Sequence, residues 1–176
     1  NLKADETQQV PLSANVGTAM VSGQLGVGVL HIDDVPIIER ESKKKIMTVV
    51  DMNDVLKVNH YLALTTSKKL VAEKRDTLAK VVAALIEAER FIRDPKNIDA
   101  VAKAAAPTSR GTDDAKWAIQ QYVPMGFWPR EHGLRKENVE AVLAAQKRVG
   151  NIKGDPAKYE QVIDLSVYEA AQKLAK

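Results

Sequence analysis

The sequence predicts an α/β fold that begins with parallel strands and ends in an α-rich second half. Three observations carry this expectation. In the first third, short apolar runs bounded by Gly, Pro and Asp alternate with capped helix starts. The stretch Thr18–Asp34 reads as a short helix, a glycine stop, a buried strand and a polar cluster where the strand ends. From Asp76 onward, apolar residues recur with the period of an amphipathic helix.

Taken in order, Gln8–Leu12 reads as the first strand. Ser13-Ala14-Asn15 opens a helix that runs through Ser22, with Ser13 or Asn15 as N-cap. Gly23 suits the left-handed position after its last turn. Val27–Ile32 is a β-branched apolar run read as a buried strand, and Asp34 is placed to cap a helix over Val35–Glu41. Lys45–Val50 reads as a further strand. The order βαβαβ implies a parallel sheet. Asp51–Asp54 is a turn, His60–Thr66 one more strand, and Ser67-Lys68-Lys69-Leu70 a capped helical turn.

Beyond this the pattern is helical. Leu78, Val81, Val82, Leu85, Ala88 and Ile92 line one face of a helix, with Lys80, Glu87 and Arg90 on the other side, and Asp94-Pro95 stops it. Asn97–Ala106 is an Ala-rich helix ended by Pro107. Thr112, with Asp113 and Asp114, starts a helix that reaches Tyr122. Pro124, Gly126 and Pro129 enclose an aromatic loop containing Phe127 and Trp128. Lys136–Val149 is a helix with Val139, Val142, Leu143 and Gln146 on one stripe. Ser166–Lys176 is the last, with Ser166 as N-cap.

The bulk composition fits a globular chain with a real core: 176 residues, 45 % hydrophobic, 28 % charged and a net charge of +3. Lys43-Lys44-Lys45 reads as a solvated run, so no nucleic-acid partner is expected. With no Cys, disulfides, thiolate metal sites and a Cys nucleophile are excluded. There is no run of about 18 apolar residues of the kind a membrane-crossing helix needs. The start, Asn1-Leu2-Lys3-Ala4-Asp5, lacks an initiator Met and reads as the middle of a domain, so a processed or truncated product is expected.

The candidate ligand residues are Ser13, Asn15, Thr18, His31, Asp33 and Asp34. The first three lie at a helix start, where free N–H groups and the helix dipole attract an anion; the same residues also serve as an ordinary cap. His31, Asp33 and Asp34 end the central strand, where ligands collect in open α/β sheets. One Asp has a capping role, and the other, with His31, offers hydrogen bonds to a ligand. One His beside adjacent Asp residues does not supply metal-ligand spacing, so no metal and no cofactor are expected. Of His60 and Tyr61, neighbours on one strand, only one can face a cleft. Trp117, Tyr122, Phe127 and Trp128 read as packing residues. Glu87 and Glu89, two apart on a helix, do not share a face, which argues against acid–base catalysis by that pair.

At the level of motif, Thr18-Ala19-Met20-Val21-Ser22 followed by Gly23-Gln24-Leu25-Gly26-Val27-Gly28-Val29-Leu30 resembles the "small-residue helix, then Gly-Gln-x-Asp-Ala" passage of the periplasmic solute-binding proteins of ABC importers. The branch it resembles serves nitrate, sulfonates, taurine and thiamine-pyrimidine precursors. Asn1–Leu12 is similar to the lead-in to that helix. His60-Tyr61-Leu62-Ala63-Leu64 resembles a return strand into the first lobe. Tyr159–Ser166 is similar to the "val-asp-leu-ser" lead into the final helix. Gly26 departs from the pattern, standing where many relatives have Asp. The resemblance covers nearly the whole chain, but about half of such a protein.

The resemblance implies a two-lobed periplasmic binding protein fold of type II. Residues 1–56 would close lobe 2, and residues 57–176 would return into lobe 1 and supply the C-terminal helices. A small polar or anionic organic solute would lie between lobes that close by a hinge motion. The loop Ser13–Thr18 and the turn His31–Asp34 would lie side by side on one edge of the sheet. The expected partners are the solute, an ABC permease in the membrane, and a second chain or complementary fragment. The expected location is the periplasm, or the cell exterior by a lipid anchor in a Gram-positive source. No catalysis is implied. The rival readings are an enzyme on the same fold, similar to pyrimidine-precursor synthases, and an effector-sensing domain of a regulator. Three scattered His and no Cys argue against the first; the second needs an attached DNA-binding or kinase module.

Overall fold

The computed structural model describes Glu6 and residues 16–55, 62–108 and 111–176. Its regular elements are α1 (Val16–Val21), α2 (Val35–Ser42), α3 (Met52–Val55), α4 (Lys68–Arg93), α5 (Ile98–Ala105), α6 (Thr112–Tyr122), α7 (Lys136–Arg148), α8 (Tyr159–Val162) and α9 (Ser166–Gln172), with short 3₁₀ turns between some of them. Among the described residues there is no strand, which overturns the expected α/β, type II binding-protein architecture with its parallel sheet. The runs Val27–Ile32 (up to a 3₁₀ turn beginning at Ile32), Lys45–Val50 and Leu62–Thr66 have no regular structure. Most of their apolar side chains lie open to solvent, Val29 being 83 % and Met47 80 % exposed, whereas Leu30, Ile32 and Ile46 are half-buried. A β-branched run becomes a strand only when a neighbour completes its hydrogen-bond ladder and covers its faces. The strand expected over Gln8–Leu12 and the residues His60 and Tyr61 lie outside the described residues.

The helices follow their local signals closely. α6 occupies the expected Thr112–Tyr122, and α5 and α7 fall within a residue of expectation at each end. α4 starts earlier than its apolar stripe. Ser67 caps it, its hydroxyl accepting the Leu70 N–H at 3.1 Å. Lys74 (φ −133°) kinks the helix before the Asp76 repeat begins. Asp94 and Pro95 end it as expected. In α9, Ser166 is the first helical residue rather than the cap, and the helix ends at Gln172, short of the expected Lys176.

The chain divides into two units. The first comprises Asn1–Met47 and Ala102–Gln121. There α1 packs on α2, burying Ala19 and Ile38. Gly23, with φ 77°, turns the chain back so that the N–H groups of Gln24 and Leu25 both donate to the Ala19 carbonyl. Gly28 then lies against α1: a Cβ there would stand 2.7 Å from Val16 Cγ1 and 3.0 Å from Met20 Sδ. After α2 the chain turns through Lys43 (φ 56°). Glu39 holds the returning segment, accepting from Lys45 Nζ and from the Ile46 N–H at 2.9 Å each. Arg40 donates both guanidinium nitrogens to the Asp114 carboxylate on α6, again at 2.9 Å.

The second unit comprises Thr48–Val101 and Tyr122–Lys176. Its main seam joins α4 to α9 and is built from small residues, with Ala79, Ala83 and Ala171 buried. Polar contacts mark both ends of that seam. Arg75 donates to the Ser166 carbonyl at 2.9 Å; farther along, Arg90 donates to the Lys176 main-chain oxygen at 2.6 Å and Glu87 accepts the Lys176 N–H at 3.0 Å. The two helices therefore run in the same direction. α8 docks beside α7 through Lys136–Glu160 at 3.0 Å, and Tyr159 Oη donates to the Leu134 carbonyl at 2.7 Å.

Candidate functional site

Of the six expected ligand residues, four are described. Thr18 lies on the exposed side of α1. His31 has extended backbone (φ −75°, ψ 149°) and leads into a 3₁₀ turn over Ile32–Asp34. The Asp34 N–H donates to the His31 carbonyl at 3.0 Å, and the His31 N–H donates to Asp34 Oδ2 at 3.3 Å. The Asp34 carboxylate thus closes its own turn, and its side chain does not cap α2 as expected; Pro36 in the first turn of α2 provides the helical φ there instead. Asp33 is half-buried and His31 exposed. The structure therefore brings His31 and Asp34 together. Thr18, on the exposed side of α1, shares with them only that α1 packs on α2, the helix into which the turn leads. Ser13 and Asn15 lie outside the described residues. The common sheet edge expected for these segments has no sheet to support it among the described residues.

The aromatic residues pack with one another. Tyr122 and Phe127 have ring centroids 4.7 Å apart, and Trp128 meets Phe127 edge-on at 5.3 Å. Arg93 fastens this loop by donating to the Pro129 carbonyl at 2.5 Å. Glu87 and Glu89 have separate surroundings, as their spacing requires. Glu87 meets Lys176, whereas Glu89 is one-third exposed and lies 3.9 Å from Arg93. Burial pushes the Glu89 carboxyl above its ordinary range, and Arg93 only partly opposes this.

One concave feature in the second unit escaped sequence reasoning. A groove of about 320 Å³ is lined by Glu131, His132, Leu165, Tyr168, Glu169 and Gln172. His132 and Tyr168 meet edge-to-face with centroids 5.4 Å apart. His132 Nδ1 accepts the Leu134 N–H at 2.9 Å, which fixes the ring. Gln172 Nε2 donates to Tyr168 Oη at 3.2 Å. The spacing 165, 168, 169, 172 is one stripe of a helix and was legible in the sequence. That Glu131 and His132 face this stripe was not, because more than thirty residues separate them. Among the described residues, no group of three or more His, Asp or Glu side chains is placed to hold a metal ion.

Comparison with known sequences places the chain. It belongs to the NMT1-like family, whose sequence model matches residues 12–106. The match is consistent with the resemblance to the nitrate, sulfonate and taurine branch of binding proteins, and it spans all six expected ligand residues. No curated protein and no solved structure matches the chain.

Proposed function

We propose that this chain is the solute-binding component of an ABC importer. It captures a small polar or anionic organic solute outside the cytoplasm and hands it to a membrane permease without chemical change. The observation that carries this reading is membership of the NMT1-like family across residues 12–106, not the helical architecture. The turn at His31 supports it: an exposed histidine and, two positions on, a half-buried aspartate, Asp33, are residue types suited to hydrogen-bonding a small polar molecule.

The chain by itself, about half of such a two-lobed protein, is expected to bind weakly or not at all, because affinity needs polar groups from both walls of a cleft. Calorimetric titration of the intact two-lobed protein with nitrate, taurine, an alkylsulfonate and an aminopyrimidine tests the reading. Saturable one-to-one binding of one of these classes, with the compound recovered unaltered, is the expected result. His31→Ala should then weaken binding by roughly 0.5–1.5 kcal/mol, the net worth of one ordinary hydrogen bond, with the circular dichroism spectrum unchanged. Absence of binding across the panel would overturn the assignment. Binding that is indifferent to His31→Ala and Asp33→Asn would overturn this site while leaving the family role standing.

A further inference from the structure

We infer that the groove between α9 and the loop preceding α7 is a binding site for a small organic cation, a primary alkylammonium. This inference is independent of the solute-binding reading and involves none of the residues named for it. α9 contributes Tyr168, Glu169 and Gln172, Leu165 just before its first residue continues the same stripe, and Glu131 and His132 complete the lining. Ala171 points elsewhere and is fully buried, so the stripe is the helix's outward side and not its packing face.

Charge decides the ligand class. The groove carries two carboxylates. Glu169 makes no ion pair among the described residues, and Glu131 has only a loose one, 3.7 Å from Arg135. An anion entering here would meet the like charge of Glu169, which no ion pair among the described residues offsets. A cation would meet Glu169 together with the ring of Tyr168, and aromatic faces attract cations within about 6 Å. The remaining groups orient the ligand. Because His132 Nδ1 is engaged as an acceptor, the neutral ring carries its proton on Nε2 and presents a donor. Gln172 holds the Tyr168 hydroxyl. A volume of about 320 Å³ is at the lower end for small-molecule sites. It suits a head group with a short apolar tail against Leu165. The donor set disfavours a metal ion, since one imidazole nitrogen is already committed to the main chain.

The test is a titration of isotopically labelled protein with n-butylammonium chloride, with n-butanol as the uncharged counterpart. Shifts are followed at the His132 ring, the Tyr168 ring and the Gln172 side-chain amide. The expected result is saturable shifts at all three with n-butylammonium, in the millimolar range, and none with n-butanol. Glu169→Gln and Tyr168→Leu should each raise the dissociation constant about threefold or more, the scale of an exposed cation–aromatic or ion-pair contact. Glu131→Gln, a change on the loop that leaves α9 untouched, should weaken binding as well and serves if an α9 variant unfolds. Shifts elsewhere only, an equal response to n-butanol, or unchanged affinity in all three variants would overturn the proposal. None of these outcomes depends on whether taurine, nitrate or a sulfonate binds at the other site.

Discussion

Two carboxylates respond to their surroundings in opposite directions, and each makes a separate prediction. Glu89 is held above its ordinary range by burial, so it stabilises the fold below the unfolded value of about 4.3 and loses that contribution as pH rises through the higher folded value. Glu89→Gln should therefore raise stability at neutral pH by roughly half a kcal/mol or less. The gain should vanish near pH 4, as thermal melts at the two pH values will show. Asp164 is the reverse case. The Ser166 hydroxyl and N–H both donate to it, at 2.5 and 2.9 Å, and hold it below the usual carboxylate range. Its contribution is present above the unfolded value of about 3.9 and disappears as pH falls through the lower folded value. Asp164→Ala should cost about 0.5–1 kcal/mol, typical of a lost helix-start acceptor. Hydrogen exchange should report the loss as faster exchange in α9. The sequence marked Ser166 as the start of this helix, but not that Asp164 would be the acceptor; a cap one turn position away satisfies the same local pattern.

Among the elements, those whose signals are local were legible. The Ser67 cap, the Asp94-Pro95 stop and the limits of α6 depend on residues within a few positions of one another. Val27–Ile32, Lys45–Val50 and, among the described residues of the expected last strand, Leu62–Thr66 were not, because strand formation depends on a partner that the run itself does not encode. The groove was half legible for the same reason: its helical stripe is a local pattern, its opposing loop a distant one. The α4–α9 seam makes the prediction at this scale. Ala83 is 5 % exposed and faces a seam built of other alanines. Ala83→Leu should force the helices apart and cost about 1–3 kcal/mol, as overpacking does. Denaturant unfolding measures it directly. A neutral result would mean that the seam holds spare volume.

At the level of the whole molecule, the composition implies a real core, yet among the described residues the buried apolar ones are mostly alanine. Val27, Val29, Met47, Val49 and Leu62 remain largely exposed. Side chains that make few contacts contribute little to stability, whatever their hydrophobicity. Val29→Lys and Met47→Lys should accordingly leave the unfolding free energy within about 0.5 kcal/mol of the parent. The same changes should reduce self-association in sedimentation velocity, since exposed apolar surface is what drives it. A loss of several kcal/mol in either variant would show that these side chains are packed in solution.

The alanine seam has a mechanical consequence. Methyl groups interlock poorly along a helix axis, so the smooth stretch between α4 and α9 offers little resistance to axial sliding. Resistance comes instead from the two polar stops, Arg75 on Ser166 at one end and Glu87 with Arg90 on Lys176 at the other. Arg75, Glu87 and Arg90 on α4 thus hold both ends of the segment that carries Tyr168 and Gln172, without lining the groove themselves.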